Sequence, residues 1–253
     1  MIAGAAERMR SRLFNHIVPK PAARLRLFCF PYAGGSSLIY RTWGAALPGS
    51  VEVYPVELPG RAVRIAEQPY TQMDPLIEEL VQGLLPLLDK PFAFFGHSMG
   101  ALVSFELARR LRRQYSLLPA KLFVSAHRAP QLPNADPTTH LLSDAELIDK
   151  LRRMGGTPEE VLAHPELMQL MLPVIRADFT VCDTYTYTEE PPLDCPIVVF
   201  GGFDDSTVQR NELERWNDQT TAGSILQMFP GGHLFINSQQ QRLLEIVGQE
   251  LPL

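Results

Sequence analysis

Cysteine is scarce. The 253 residues hold three, Cys29, Cys182 and Cys195. They are odd in number, far apart and without CxxC spacing, which argues against a disulfide framework and a zinc site. A reducing compartment fits. Cys29 sits in an apolar run and reads as a small core residue. Positive charge is in deficit: 23 Lys and Arg against 28 Asp and Glu leave a net charge of -5. The electrostatic footprint of a nucleic-acid binder is therefore missing. No apolar run approaches the length of a membrane span. Residues 1–21 carry charge but no apolar stretch long enough for a signal peptide. Internal repeats and low-complexity tracts are absent too. The expectation is a cytoplasmic protein with neither nucleic acid nor membrane as partner. What remains is ordinary globular material, 45% hydrophobic and 20% charged, which excludes a disordered or collagen-like chain. The chain is long enough to fold without a metal or disulfide staple. It is expected to form one domain over 1–253.

Residues 1–22 read as a poorly ordered arm closed by Pro19 and Pro21. Beyond it, short apolar runs at 25–30, 51–56, 92–95, 121–126, 197–200 and 225–229 predict strands. Helical spacing of apolar residues appears at 37–46, 74–88, 99–113, 207–217 and 238–250. This alternation predicts the α/β class: a mostly parallel central sheet flanked by helices on both faces. The insert 128–192 breaks the rhythm. It contains no convincing strand, but helical stretches at 143–154, from 157, and at 165–185. Ser143 with Glu146 forms a capping-box pattern. Thr157-Pro158-Glu159-Glu160 is a second helix start, with Pro158 expected at the first helical position. An insert of this kind is expected to be a lid over a ligand site.

Gly96-His97-Ser98-Met99-Gly100 is a GxSxG motif. Alone it is weak, but it follows an apolar strand and opens a helical pattern, the placement a nucleophile elbow requires. On so sharp a turn the flanking positions must lack bulky side chains, and Gly96 and Gly100 supply the room. A serine hydroxyl needs a base. Among His16, His97, His127, His140, His164 and His233, only His233 follows in the order serine, acid, histidine. His97 is expected to point away from the elbow, and the other histidines to be surface or supporting residues. The acid should end the strand at 197–200, which leaves Asp204 and Asp205. Asp205, just before Ser206-Thr207, looks like a helix cap, which favours Asp204 as the acid and keeps Asp205 open. The oxyanion hole needs two backbone N–H groups, expected from Met99 and from Ala33 in Pro31-Tyr32-Ala33-Gly34-Gly35. Tyr32 and Gly34 are alternative donors.

Together with FPYAGG, ELPGR, RADF at 176–179, GGFDD, Trp216 and PGGHLF, these residues resemble the type II thioesterases that accompany polyketide synthases and nonribosomal peptide synthetases. The likeness runs over nearly the whole chain. It implies an α/β-hydrolase fold in which 128–192 is a flexible helical lid. It implies a stand-alone editing enzyme that hydrolyses acyl or aminoacyl thioesters from the phosphopantetheine arm of acyl or peptidyl carrier protein domains. It implies Ser98, Asp204 and His233 as the catalytic residues, acting through an acyl-enzyme on Ser98, with no metal or other cofactor. Gly202 stands where the family's GDxD-like pattern has its first aspartate, and Asp205 where proline is frequent, so Asp205 stays open as the acid.

Met154, Met168, Met171, Phe179 and Tyr185 of the insert are expected either to line an apolar acyl pocket or to pack as ordinary core. The basic stretches 109–113 and 150–153 could meet an acidic carrier, or simply complement helix C-termini. Two rivals use the same residues: a small-molecule esterase or acyltransferase, and a non-catalytic hydrolase-fold binder.

Overall fold

The computed structural model describes residues 12–155 and 157–252. Six strands are β1 (Leu25–Phe30), β2 (Val51–Pro55), β3 (Phe92–His97), β4 (Lys121–Ser125), β5 (Ile197–Gly202) and β6 (Ser224–Phe229). They form one sheet in the order β2-β1-β3-β4-β5-β6, and every neighbouring pair is parallel. The helices are α1 (Trp43–Ala46), α2 (Met73–Leu84), α3 (Met99–Tyr115), α4 (Asp144–Met154), α5 (Glu159–Leu162), α6 (Pro165–Asp183), α7 (Arg210–Glu214), α8 (Phe235–Ser238) and α9 (Gln240–Glu250).

The strands are apolar almost throughout because both faces of the sheet are covered. Side chains alternate between the faces with period two. Phe28, Phe30, Phe94, Leu122, Val124, Ile197 and Val199 pack on one face with Leu80 and Leu84 of α2 and Phe105 and Leu111 of α3. Leu27, Cys29, Val53, Phe95, Phe123, Val198 and Phe200 pack on the other with Trp43 of α1 and Leu243 and Val247 of α9. On that second face Phe123 and Phe200 stack with ring centroids 6.1 Å apart.

The N-terminal expectation needs correction. Residues 1–11 lie outside the described residues, but 13 and 14 are no loose arm. Leu13 and Phe14 are buried. Phe14 bridges Val56 and meets Tyr54 edge-on, and the Leu13 carbonyl accepts from the Glu57 N–H at 2.8 Å. Apolar contact with β2 outweighs the polar residues around this pair.

The insert between β4 and β5 carries α4, α5 and α6, with a small apolar core of its own from Leu147, Leu151, Leu162, Met168, Leu172 and Ile175. Ser143 and Glu146 form the expected capping box. Pro158 is the N-cap of α5 rather than its first helical residue. Among the described residues no helix is long and apolar enough to cross a membrane.

Candidate active site

The C-terminal ends of β1, β3, β4 and β5 and the turn after β6 converge on one cleft, the usual place for a site in an open parallel sheet. Ser98 joins β3 to α3 with φ 53° and ψ -119°, a conformation that costs a non-glycine residue strain. Close approach explains its flanking glycines. A Cβ on Gly96 would lie 2.0 Å from the Gly100 carbonyl oxygen, and one on Gly100 would lie 2.2 Å from the Phe30 carbonyl oxygen. The Ser98 N–H donates to the Ser125 carbonyl at 2.7 Å, tying the turn to β4.

The His233 Nε2 lies 2.8 Å from the Ser98 Oγ. Its Nδ1 lies 2.9 Å from Asp205 Oδ2. A carboxylate only accepts, so Nδ1 carries the proton and Nε2 presents its lone pair to the serine hydroxyl. The favoured acid, Asp204, is thus corrected to Asp205. Asp204 is exposed and, among the described residues, its carboxylate accepts only from the Gly231 N–H, at 3.3 Å. Capping a helix and orienting a histidine are compatible in one residue, because a carboxylate has two oxygens. Asp205 caps with Oδ1, accepting from the N–H groups of Thr207 at 2.8 Å and Val208 at 3.3 Å, and serves His233 with Oδ2. Burial alone would raise the Asp205 carboxyl. The hydrogen bonds from His233 and Thr207 outweigh it and hold the group below the usual carboxylate range. The Thr207 hydroxyl donates to Asp205 Oδ1 at 2.7 Å and its oxygen lies 2.8 Å from His233 Nδ1, so it accepts a share of that proton.

His97 is a residue whose part the sequence did not disclose. It does point away from Ser98, yet it is fully buried and holds the turn that carries His233. Its ring meets the His233 carbonyl through Nε2 and Ser125 Oγ through Nδ1, both at 2.9 Å. The carbonyl requires a proton on Nε2, so Nδ1 accepts from the serine. Burial, helped by the neighbouring His233, lowers its pKa to about 3 and keeps the ring neutral. His127 is buried as well, lowered to about 3 by burial and the adjacent Arg128 charge. Its carbonyl accepts from Trp216 Nε1 at 2.7 Å, which gives the tryptophan its place. His140 pairs with Asp183, and His164 caps α6.

Met99 is the first residue of α3, so its N–H has no intrahelical acceptor. Of the turn candidates, the Gly34 N–H is occupied by Asp178 Oδ2 at 2.7 Å and drops out. Ala33 and Met99 line the same cavity as Ser98 and His233, about 500 Å³ in volume. Of the five insert residues expected there, Met154 and Phe179 line it. The other three do not, in keeping with the packing alternative. Met168 and Met171 pack in or against the insert's own core, and the Tyr185 hydroxyl donates to Glu106 at 2.6 Å. Polar groups take part of the wall instead, among them Arg128, Lys150, Arg153 and Asp183. Arg128 Nε is buried without a hydrogen-bond partner among the described residues. Cys182 also lines the cavity, and burial pushes its thiol well above the ordinary range.

The basic stretch 109–113 is largely neutralised inside the molecule. Arg109, Arg112 and Arg113 share Glu190, and Arg110 reaches Asp74 and Glu78. In 150–153, Lys150 pairs with Asp136, and Arg152 with Asp149 and Glu159.

Comparison with known proteins agrees with this arrangement. Linear gramicidin dehydrogenase LgrE of Brevibacillus parabrevis is 46% identical over 232 residues, covering 90% of this chain and 88% of its own. The solved structure of RedJ, a thioesterase from the prodiginine pathway of Streptomyces coelicolor, is 40% identical with a TM-score of 0.87, covering 92% of both chains. That of BorB, the type II thioesterase of the borrelidin cluster, is 36% identical with a TM-score of 0.82, covering 94% and 95%. Residues 25–251 match the thioesterase domain family. With serine, imidazole and carboxylate in sequence at the edge of an α/β-hydrolase sheet, the chain belongs to the thioesterase family and is a thioester hydrolase of the type II group.

Proposed function

We propose that this protein hydrolyses acyl or aminoacyl thioesters from the phosphopantetheine arm of acyl or peptidyl carrier domains, as an editing enzyme. Such carriers serve polyketide synthases and nonribosomal peptide synthetases. The observation that carries the reading is the Ser98–His233–Asp205 chain, with links of 2.8 and 2.9 Å, opening into a cavity of about 500 Å³. That volume lies in the usual range for a small-molecule site, roughly 300–1,000 Å³. The pathway setting is carried by likeness to RedJ and BorB. The dehydrogenase name of the Brevibacillus relative is not transferred, because the groups aligned in this cleft are those of acyl transfer.

In this reading Ser98 Oγ attacks the thioester carbonyl as its proton passes to His233 Nε2. Asp205 keeps the imidazole in the required tautomer and stabilises the imidazolium. The Met99 and Ala33 N–H groups hold the oxyanion. The C–S bond breaks, the pantetheine sulfur takes the proton from His233, and an ester remains on Ser98. Water then attacks that ester, giving its proton to His233, and the acid leaves as Ser98 recovers its proton. Every proton transferred has a donor and an acceptor in the side chains, the thiol and water, so the reading needs no further cofactor. Met154 and Phe179 offer the acyl group apolar wall. Three cysteines, none in a disulfide among the described residues, suit a cytoplasmic setting.

The test is intact-mass kinetics on a carrier domain loaded with acetyl, longer acyl or aminoacyl groups, with wild type and Ser98→Ala side by side. The expected result is conversion to free holo-carrier by wild type alone. A carrier that stays loaded while a simple ester is cleaved would replace this reading with an esterase.

A further inference from the structure

The ELPGR and RADF segments have no part in the chemistry above, yet they meet beside it. Arg61 lies after β2 and Asp178 lies on α6, 117 residues apart. Their side chains form a two-pronged ion pair, Nη1 to Oδ2 at 2.7 Å and Nη2 to Oδ1 at 2.8 Å. Both residues are buried, at 5% and 3% exposure. Each also grips the turn after β1. Asp178 Oδ2 accepts from the Gly34 N–H at 2.7 Å, and Arg61 Nη1 donates to the Gly35 carbonyl at 3.0 Å. The turn closes on itself through the Gly35 N–H and the Tyr32 carbonyl at 2.8 Å. Ala33 lies inside that closed turn.

The helix presses on the turn at a second point. Gly34 has φ +75°, and a Cβ there would stand 2.6 Å from Ile175 Cγ1, one turn before Asp178 on α6. The turn segment Gly34–Gly35, directly after Ala33, is thus fixed by a carboxylate, a guanidinium and a packed side chain. Two of the three come from the insert.

A buried ion pair is poor evidence for stability, because desolvation offsets most of its attraction. Its cost is understandable if the pair fixes a geometry. Catalysis through an oxyanion hole depends on donors aimed before the charge forms, within a few tenths of an ångström.

We propose that Arg61 and Asp178 are positioning residues for the oxyanion. They aim the Ala33 N–H by clamping its turn to α6, so seating the insert helix and completing the oxyanion hole are one event. The inference rests on the hydrolytic reading above and deepens it. It accounts for two motifs of the chain by one contact.

The pair should act on the transition state far more than on substrate binding. Asp178→Ala removes both the Gly34 acceptor and the partner of Arg61. Losing one oxyanion donor costs roughly 10²–10³-fold in kcat. The expected loss here is about 100-fold in kcat, with KM within about threefold, since the donor is misaimed rather than deleted. Affinity for a trifluoromethyl ketone that adds to Ser98 should fall by a similar factor. Asp178→Asn keeps an oxygen for the Gly34 N–H and should recover about tenfold of both losses. It also carries the test if the alanine variant does not fold. Leu243→Ala, in the core under α9 and outside the insert, controls for general loss of stability. It should lower the thermal midpoint and leave kcat within about twofold.

All variants are assayed as full chains on a loaded carrier and on a simple thioester. If Asp178→Ala and Asp178→Asn lower only the thermal midpoint, with kcat and ketone affinity intact, the inference is overturned. Equal kcat losses in Leu243→Ala and Asp178→Ala overturn it as well. Failure of the underlying reading shows differently: wild type itself would hydrolyse no thioester, or Ser98→Ala would match it.

Discussion

The sharpest consequence of the geometry is that two adjacent aspartates differ by orders of magnitude in their effect. Consider Asp205→Asn. The amide oxygen can take over the place of Oδ1, accepting from Thr207 N–H at 2.8 Å and Val208 N–H at 3.3 Å. The amide nitrogen then stands where Oδ2 was, 2.9 Å from His233 Nδ1. That nitrogen only donates, so Nδ1 must give up its proton and Nε2 must carry it. The imidazole then offers an N–H to Ser98 Oγ at 2.8 Å and cannot take the hydroxyl proton. In a serine protease the equivalent change costs about 10⁴ in kcat, which is ~5 kcal/mol of barrier. A similar loss is expected here, with KM little changed. Stability should stay within ~1 kcal/mol because the cap survives. Asp204→Asn keeps an acceptor for its single, exposed contact at 3.3 Å and should hold kcat within about twofold. The assay is steady-state release of free thiol from a loaded carrier, alongside thermal melts of all three proteins. A loss in Asp204→Asn as large as that in Asp205→Asn would refute the assignment. So would Asp205→Asn retaining more than about a tenth of wild-type kcat.

Two further outcomes concern stability. His97 and His127 are each lowered to about 3 in the folded chain, where His97 faces His233 and Asp205, and His127 faces Arg128 and His233. Their folded values lie below the unfolded 6.5, so between the two the unfolded chain binds the extra protons. Stability is full above about pH 6.5 and is lost as pH falls toward 3. At pH 5 the loss is ~2 kcal/mol per histidine. Denaturant midpoints at pH 7.5 and 5.0 measure it. His127→Gln should remove about half of the drop, and a wild-type curve flat across this range would contradict the argument. Asp205, also held low, adds its own loss only below the ordinary carboxylate range. Arg128→Met removes a guanidinium whose Nε is buried without a partner among the described residues, and should stabilise by ~1 kcal/mol, or about 2–4 °C in Tm. A lower Tm would mean that the charge is compensated after all.

Much of this was legible in the residues. Strands such as β1 and β3 are short apolar runs closed by turn residues, because a parallel sheet buried on both faces admits little else. The elbow and His233 were visible because GxSxG has one backbone solution and the order of the partners leaves one histidine. The acid was not legible. Asp204 and Asp205 are neighbours on a turn, and which faces His233 depends on how the strand ends, not on composition. His97 was misjudged in importance for a related reason. Its worth lies in a carbonyl 136 residues away, and no local pattern encodes that contact. The insert methionines lie at helical spacing that suits a cavity wall and a core equally well. The choice between them was made by where α4 and α6 rest. The grip of Arg61 and Asp178 on the oxyanion turn is a third long-range contact of this kind.

Cys182 shares the cavity with Ser98, and this bears on chemical selectivity. A thiolate beside a bound thioester would exchange with it at almost no free-energy cost, moving the acyl group to a sulfur with no histidine to release it. Only the thiolate is reactive in this way. Burial keeps this thiol protonated far above neutral pH. At neutral pH the wall therefore presents a thiol rather than a thiolate beside Ser98, so the serine is the stronger acyl acceptor of the two.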